Sequence, residues 1–321
     1  MRITGTVGKD EIAVARIAEF GDGQFVEFVE SVEPPIPREK KWVLIVSTMF
    51  GCPVGCLMCD AGGRYRGLLT KNEILSQIDY MVTRRFPNRD VPVEKFKIQF
   101  ARMGEPALNP AVLEVLEELP ERYRAPGLMP SISSIAPAGS DGFFDRLKRL
   151  KMALYGNGRF QLQFSIHTTD PELRDRLIPV RKWSYAEIAA YGEAFHAPGD
   201  RKITLNAALA KGIPFEAPVL RRYFDPDRFL IKMTPINPTY TAARNGLASY
   251  LDHQLAEDRD SVVASIRDSG FEVIVSIGEP EENLIGSNCG QYVMRHLGET
   301  HPIRNGYTYQ LEERHPQGAG Q

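Results

Sequence analysis

Cysteine is scarce in this sequence, and long apolar runs are missing from it. Four cysteines among 321 residues are too few for the disulfide framework of a small secreted scaffold. The first twenty residues hold no apolar run typical of a signal peptide, and no later stretch approaches the roughly 20 apolar residues of a membrane span. We therefore expect a cytoplasmic protein that makes no membrane contact.

An excess of either charge is also absent. The 39 Lys and Arg residues nearly balance 41 Asp and Glu residues, which leaves a net charge of -2. Domains dedicated to nucleic-acid binding are often strongly basic, because they must neutralise phosphates. The balance weakens the case for a nucleic-acid substrate without excluding one.

Apolar segments rich in β-branched and aromatic residues are present, and helical stretches separate them. The segments predict strands at 41–49, 95–101, 127–136, 159–167, 203–209, 229–236 and 271–277. The clearest helix spans 70–86, where Thr70 as N-cap and Glu73 form a capping box. Such alternation predicts an α/β fold with a parallel sheet, and six or seven units suggest a partial (β/α)6-type barrel.

The composition along the chain suggests three parts. Residues 1–40 form a β-rich extension that ends in a Pro-rich connector, residues 41–292 form the core barrel, and residues 293–321 form a C-terminal tail. Active sites of such barrels lie at the C-terminal ends of the strands. A loop with three cysteines follows the first barrel strand directly, so this loop is the expected cofactor site.

Cys52, Cys56 and Cys59 have the spacing C-x-x-x-C-x-x-C. A structural zinc site needs a fourth ligand, and no nearby His or Cys supplies one. A four-iron cluster held by three thiolates instead leaves one iron open to a substrate or cosubstrate. Zinc binding and plain buried thiols are the alternatives.

This spacing resembles the signature of the radical S-adenosylmethionine (SAM) superfamily. The resemblance implies a 4Fe-4S cluster whose open iron binds SAM, and an electron that splits SAM to give a 5'-deoxyadenosyl radical. It also implies an electron donor such as flavodoxin or ferredoxin. Met58 stands where an aromatic residue is common, and this change leaves the ligands untouched.

Further segments resemble, in order and spacing, the RlmN/Cfr family of RNA adenine methyltransferases. They are "MGEPALN" (103–109), "SISSIAP" (131–137), "SIHTTDPELRDRLIPV" (165–180), "PINP" (235–238) and "NCGQY" (288–292). By this resemblance the residues that contact SAM are Gly104, Glu105, Ser131, Ser133, Ser165, Ile166, His167 and Asn237. Taken singly, each segment could be an ordinary turn or strand end; their joint order favours function.

In that family a protein cysteine receives a methyl group from one SAM and passes it to an sp2 carbon, and a base and a second cysteine release the product. The resemblance makes Cys289 the methyl carrier; a small buried residue is the alternative. "VESV" (29–32) places Glu30 as the base, or as a simple surface glutamate. The resolving cysteine is replaced by Ile45, so we expect an external thiol, another elimination, or different chemistry.

The RNA enzymes of the family carry an N-terminal helical domain, and this sequence begins at the β extension that follows it. We therefore expect a nucleobase-like or small-molecule substrate, with a nucleotide or RNA still open. One alternative is a radical SAM enzyme that transfers no methyl group and uses the adenosyl radical directly on a small molecule. Another is a non-catalytic RNA-binding protein with an iron-sulfur or zinc centre.

Overall fold

One large sheet carries the fold. The computed structural model describes residues 1–21, 23–209, 212–247, 256–276, 280–287, 292–298, 303 and 306–313. The described strands are β1 (Arg2–Lys9), β2 (Ala13–Glu19), β3 (Phe25–Ser31), β4 (Lys41–Val46), β5 (Met49–Phe50), β6 (Gly67–Leu68), β7 (Lys95–Phe100), β8 (Leu128–Ser134), β9 (Gln161–Ser165), β10 (Ile203–Leu209), β11 (Phe229–Pro235), β12 (Val273–Val275) and β13 (Glu312–Glu313).

Helices follow most of the parallel strands. Those described are α1 (Lys71–Arg85), α2 (Ala111–Arg122), α3 (Asp141–Leu154), α4 (Pro171–Leu177), α5 (Tyr185–Phe195), α6 (Ala217–Tyr223), α7 (Tyr240–Arg244), α8 (Ala256–Asp268), α9 (Pro280–Ile285) and α10 (Tyr292–His296). A short 3-10 turn lies at Pro106–Leu108.

The order of the strands confirms the predicted α/β class. Seven parallel strands lie side by side in chain order, β4-β7-β8-β9-β10-β11-β12, and β3-β2-β1-β13 extend the sheet beyond β4 in antiparallel pairs. Crossover connections with helices join the parallel strands, as parallel pairing requires. The predicted barrel type has six strand–helix units, and β12 is a seventh parallel strand beyond these six.

The parallel strands curl into an open barrel. On a flat sheet β4 and β12 would lie about 29 Å apart, because six spacings of about 4.8 Å separate them. A single cavity nevertheless touches Ile45 on β4 and Ser276, which directly follows β12. In the described part of the chain the two edges do not pair, so the barrel is partial.

Local signals account for the outer helices. Thr70 accepts a hydrogen bond from the Glu73 backbone N–H, and the Glu73 carboxylate accepts one from the Thr70 N–H, which confirms the predicted capping box. A cap of this kind stabilises a helix by about 1 kcal/mol. The inward face of α1 buries Ile74, Ile78 and Met81 against the sheet.

The ends of the chain join the same sheet. β3 pairs with β4 through Val29 and Ile45, so hydrogen bonding continues across the expected boundary at residue 40. β13 pairs with β1 through Glu313 and Gly5, which brings part of the expected tail back to the extension. Within the described ranges, no helix is both long and apolar enough to cross a membrane.

Candidate functional site

A cavity of about 390 Å³ opens at the C-terminal ends of the parallel strands. All three clustered cysteines line it, and the loop that carries them runs between β5 and β6. Of the other predicted site residues, those that line the same cavity are Gly104, Glu105, Ser133, Ser165, His167 and Asn237. Segments far apart in the sequence therefore converge on one site, at the end of the barrel where the sequence places it.

Glycines and apolar anchors hold the cysteine loop. Gly51 has φ +73, and a Cβ there would lie 2.3 Å from the Arg64 carbonyl oxygen. This conformation suits glycine because it has no side chain to clash. On the other side of the loop, Val54 and Met58 are buried in an apolar cluster that also contacts Cys52 and Cys56. Met58 therefore packs beside the thiols, which agrees with a substitution that affects packing and leaves the ligands unchanged.

Asp60, directly after the last of these cysteines, fixes the far end of the loop. Its buried carboxylate accepts hydrogen bonds from the Tyr240 N–H (3.1 Å), the Thr241 N–H (2.8 Å) and the Tyr307 hydroxyl (2.9 Å). Thr239 adds a hydrogen bond from its hydroxyl to the Met58 carbonyl (2.9 Å). The segment after β11 is thereby fastened to the cysteine loop, a role that the sequence did not reveal.

The three thiols suit a metal cluster. Burial raises the pKa of Cys52 to about 11, and burial together with the neighbouring Cys59 and Cys52 raises the pKa of Cys56 well above its ordinary value. Thiolates are the metal-binding form of cysteine, so three of them in this pocket need a cationic group between them. Three sulfur donors in an apolar surround therefore fit an iron-sulfur cluster with one open position.

Gly104 and Glu105 form the wall beside the cysteine loop. Gly104 has φ +100, and a Cβ at this position would lie 2.6 Å from Met49 Cγ. Any other residue would therefore push this wall away from Met49 on β5. The buried Glu105 carboxylate accepts hydrogen bonds from the Ser134 hydroxyl (2.5 Å) and from the Ile135 (3.0 Å) and Ala107 (3.0 Å) backbone N–H groups.

Glu105 should make the stability of the metal-free chain depend on pH. Burial raises the pKa of this carboxyl to about 7, although its hydrogen bonds oppose the shift. In the unfolded chain the pKa returns to about 4.3, so between these values the folded state binds more protons. Stability contributed by the protonated form is therefore lost as the pH rises from about 4.3 to 7.

Urea unfolding of the metal-free chain at pH 5 and pH 8 would test this dependence. We expect the free energy of unfolding of Glu105→Gln to change by about 3 kcal/mol less between these pH values than that of the wild type. Glu114→Gln, at an exposed position of α2, serves as the control and should keep the wild-type slope. Equal slopes in all three proteins would contradict the assignment.

The two predicted serines on β8 lie at different depths. Ser133 lines the cavity, whereas Ser131 is fully buried below it and is hydrogen-bonded to the Gln163 side chain (3.0 Å). Ser134, which the sequence reading passed over, both lines the cavity and supports Glu105. Ser131 is therefore joined to the cavity by its hydrogen bond to Gln163, which lines it.

The end of β9 presents a strained histidine. His167 has φ +61, and its Nδ1 accepts a hydrogen bond from the Ala208 N–H (3.2 Å). Burial, helped by the nearby Arg174, lowers the pKa of His167 to about 4, so the ring is neutral at pH 7. Ile166 is buried with its N–H donated to the Asn206 carbonyl (3.0 Å), and it does not line the cavity.

Glu30 is not brought to the cavity. Its buried carboxylate accepts hydrogen bonds from Arg16 (2.6 Å) and Arg85 (2.7 Å), and Arg38 lies 3.5 Å away. These guanidinium groups hold the pKa of Glu30 below its ordinary value, against the opposing effect of burial. A carboxylate held in this way is a poor base, so the geometry offers no support for that predicted role.

Cys289 lies outside the described residues, but its neighbours on both sides meet a buried ion pair. Arg102 pairs with Glu27, and both side chains are almost fully buried. Arg102 also donates hydrogen bonds to the Gly286 and Ser287 carbonyl oxygens (both 2.9 Å), while Glu27 accepts one from the Val293 N–H (3.0 Å). This pair was not predicted; its signal in the sequence is a charged residue inside the apolar run "FVEFV".

Comparison with known proteins supports the resemblance found in the sequence. No family model matches the chain. A dual-specificity RNA methyltransferase RlmN of Geobacter sulfurreducens is 34% identical over 187 residues, which are 58% of this chain and 47% of that relative. A probable dual-specificity RNA methyltransferase RlmN of Desulfitobacterium hafniense is 28% identical over 282 residues, 84% of this chain and 72% of the relative. The chain thus matches less than half the length of the first relative.

Solved structures with a similar fold point the same way. The crystal structure of a radical SAM methyltransferase from Sphaerobacter thermophilus superposes with a TM-score of 0.72 and 22% identity, over 91% of this chain and 81% of that one. Streptococcus suis SuiB bound to SAM gives a TM-score of 0.50 at 16% identity, over 74% and 50%. At these identities the likeness confirms the fold, an α/β partial barrel.

Proposed function

From the premise that this chain is an RlmN/Cfr-like member of the radical SAM superfamily, we propose that it is a methyltransferase that alkylates an sp2 carbon. The observation that carries the proposal is the convergence of three thiols with Gly104 and Glu105 on one cavity. Family membership implies a 4Fe-4S cluster and SAM as cofactors. An electron donor such as flavodoxin or ferredoxin belongs to the proposal.

Residues of this chain account for how both cofactors would be held. Cys52, Cys56 and Cys59 would bind three irons of the cluster, which when loaded supplies the electron that cleaves SAM to a 5'-deoxyadenosyl radical. Glu105 would accept the ammonium group of SAM, and that contact would favour its ionised form.

The other wall of the cavity would hold the adenosyl half of SAM. The His167 ring is neutral at pH 7 and offers hydrogen bonds without charge. Asn237 and Ser165 add uncharged polar groups that suit a ribose or an adenine. We propose that these three side chains orient SAM, with Ser133 beside them.

Cys289 is proposed as the methyl carrier. Two peptide units separate it from Ser287, which spans at most about 7.6 Å between the Cα atoms. Ser287 is held by Arg102, and Arg102 lines the cavity. A thiol two residues from Ser287, which is hydrogen-bonded to a cavity residue, could reach the site, and its thiolate would accept the first methyl group.

Release of the product must differ from that in relatives with a resolving cysteine. Ile45 lines the cavity at that cysteine's position, and the four cysteines leave 4 - 3 = 1 outside the cluster. We propose that an external thiol, or an elimination that needs no disulfide, ends the reaction. A cytoplasmic location is part of the proposal, because free thiols persist in a reducing compartment.

The substrate is proposed to be a nucleobase-like compound or another small molecule. The relatives are named RNA methyltransferases, which supports a base as the acceptor. The cavity of about 390 Å³ lies in the size range of sites for small molecules, and by this proposal SAM occupies part of it. RNA remains a candidate substrate, in which the same base would be part of a larger molecule.

Mass spectrometry of the cluster-loaded protein would test the proposal. After anaerobic incubation with methyl-deuterated SAM and reductant, we expect a CD₃ adduct on the peptide that contains Cys289. The adduct would direct the search to acceptors with electrophilic sp2 carbons. An unmodified Cys289 alongside 5'-deoxyadenosine would overturn the methyl relay and favour the second candidate, a radical SAM enzyme that uses the adenosyl radical directly.

A further inference from the structure

The inner face of the barrel is polar, although parallel strands are usually apolar on both faces. Polar side chains recur at every second position, where a strand presents one face. On β7 these residues are Lys97 and Gln99, on β9 Gln163, on β10 Asn206 and on β11 Lys232. A polar inner face suits contact with a polar ligand, whereas an apolar face would pack against other apolar side chains.

Positive charge collects on this face. Lys97 lies two residues before Gln99, and Gln99 lines the cavity, so Lys97 stands about 6.6 Å deeper in the barrel. Lys232 on the opposite side lines the cavity itself. Lys41 and Lys95, at the starts of β4 and β7, add charge at the N-terminal end of the barrel.

Acidic groups do not balance Lys97 within the described part of the chain. Glu282 lines the cavity and acts on Lys41, which also forms an ion pair with Glu33. Glu105 is occupied by its hydrogen bonds to Ser134 and to the backbone. For Lys97, no hydrogen bond or ion pair joins the ammonium group to any described residue.

Holding a charged ammonium group in this place without an anionic partner would cost stability. Burial lowers the pKa of Lys97 well below its ordinary value, and the nearby lysines, Lys232 first, lower it further. Residues that destabilise a fold in this way are typical of functional sites. A bound anion would supply the missing negative charge.

We propose that the inner face of the barrel, with Lys97 at its centre and Gln99, Asn206 and Lys232 around it, binds an anionic group of the substrate, a phosphate or a carboxylate. The inference rests on the proposed function in one respect: it takes the cavity above this face as the place where the reaction occurs. It makes the substrate a small acid, such as a phosphorylated nucleoside, whose reacting carbon projects toward the cysteine loop.

Thermal unfolding of the full chain loaded with its cluster would test this proposal under anaerobic conditions. The probes are inorganic phosphate and acetate at 10 mM, with ionic strength held constant by chloride. We expect one of them to raise the Tm by about 2 °C, which corresponds to millimolar binding to the folded state. Phosphate alone would identify a phosphorylated substrate, and acetate alone a carboxylate.

Lys97→Met keeps the bulk of the side chain and removes the charge. In chloride its Tm should exceed that of the wild type, because the variant no longer holds an uncompensated cation, so loss of folding cannot imitate loss of binding. The anion-induced rise should vanish in this variant. Lys148→Met on α3, where the lysine forms no ion pair with described residues, should retain the rise.

Three results would overturn the proposal. One is the lack of any rise up to 50 mM of either anion, and another is a rise that survives in Lys97→Met. The third is a tenfold loss of SAM affinity in Lys97→Met, which would assign the lysine to the carboxylate of SAM. If the chain instead binds no cluster, the proposed function fails, while the anion titration can still be performed on the metal-free full chain.

Discussion

Replacing Cys289 with alanine is expected to abolish transfer of the SAM methyl group to the protein while cleavage of SAM continues. Alanine has no sulfur to attack the methyl group, whereas the residues that line the described cavity are unchanged. Formation of S-adenosylhomocysteine should fall on the order of 10³-fold or more, as for the loss of other nucleophiles. Cleavage of SAM to 5'-deoxyadenosine should continue, because the proposed cluster ligands and SAM contacts are all present.

Chromatography with mass detection can follow both products in one anaerobic reaction. Cys56→Ala is the matched control, because it removes a sulfur of the same size from the cysteine loop. Since Cys56 is a proposed cluster ligand, that variant should lose both products and its iron. S-adenosylhomocysteine at the wild-type rate from Cys289→Ala would show that another group receives the methyl.

Local signals in the sequence were enough to predict the parallel strands and the cysteine loop. The segment 203–209 was predicted as a strand and is observed as Ile203–Leu209, because a β-branched, apolar run leaves few alternatives. Helix α1 begins after Thr70 as predicted, since its capping box lies within four residues. Features that are determined by residues close together in the sequence could therefore be predicted.

The face of β3 on which an acidic residue would meet the cavity could not be predicted from such local signals. Val29 pairs directly with Ile45, and Ile45 lines the cavity, so Val29 and Glu27 share the inner face. Glu30 is three residues from Glu27 and faces the other side, where it meets Arg85 of α1. Because side chains alternate along a strand, an error of one or three residues reverses the face.

A pattern in the sequence does indicate the polar inner face, although the strand predictions did not draw on it. In "KFKIQF" (95–100) and "RFQLQFSIH" (159–167), polar side chains alternate with buried apolar ones. In a parallel sheet such alternation indicates that one face lines a cavity rather than a core. The pairing of Arg102 with Glu27, by contrast, joins residues 75 positions apart, and no local pattern specifies it.

This buried ion pair supports the second large prediction, which concerns the position of the segment around Cys289. Arg102→Met should destabilise the protein by about 3–5 kcal/mol, because the Glu27 carboxylate would stay buried without its guanidinium partner. It should also remove the hydrogen bonds that hold Gly286 and Ser287. We therefore expect transfer of the methyl group to Cys289 to fall more than cleavage of SAM.

A double variant separates stability from positioning. Glu27→Gln with Arg102→Met removes both charges, so most of the lost free energy of unfolding should return. The Gly286 and Ser287 carbonyl oxygens would still lack their donor, and methylation of Cys289 should stay low. Chemical denaturation and the CD₃ assay on the same preparations measure the two effects.

Arg16→Met provides a matched control for the loss of a buried ion pair. Arg16 pairs with Glu30 on the other face of β3, where Arg85 remains as a second partner. This variant should lose stability without a selective loss of methylation, because no hydrogen bond or ion pair joins Arg16 or Glu30 to the described residues 286, 287, 292 or 293. If Arg16→Met and Arg102→Met reduced methylation equally, the Glu27–Arg102 pair would be a stabilising feature of the fold and not a device that positions Cys289.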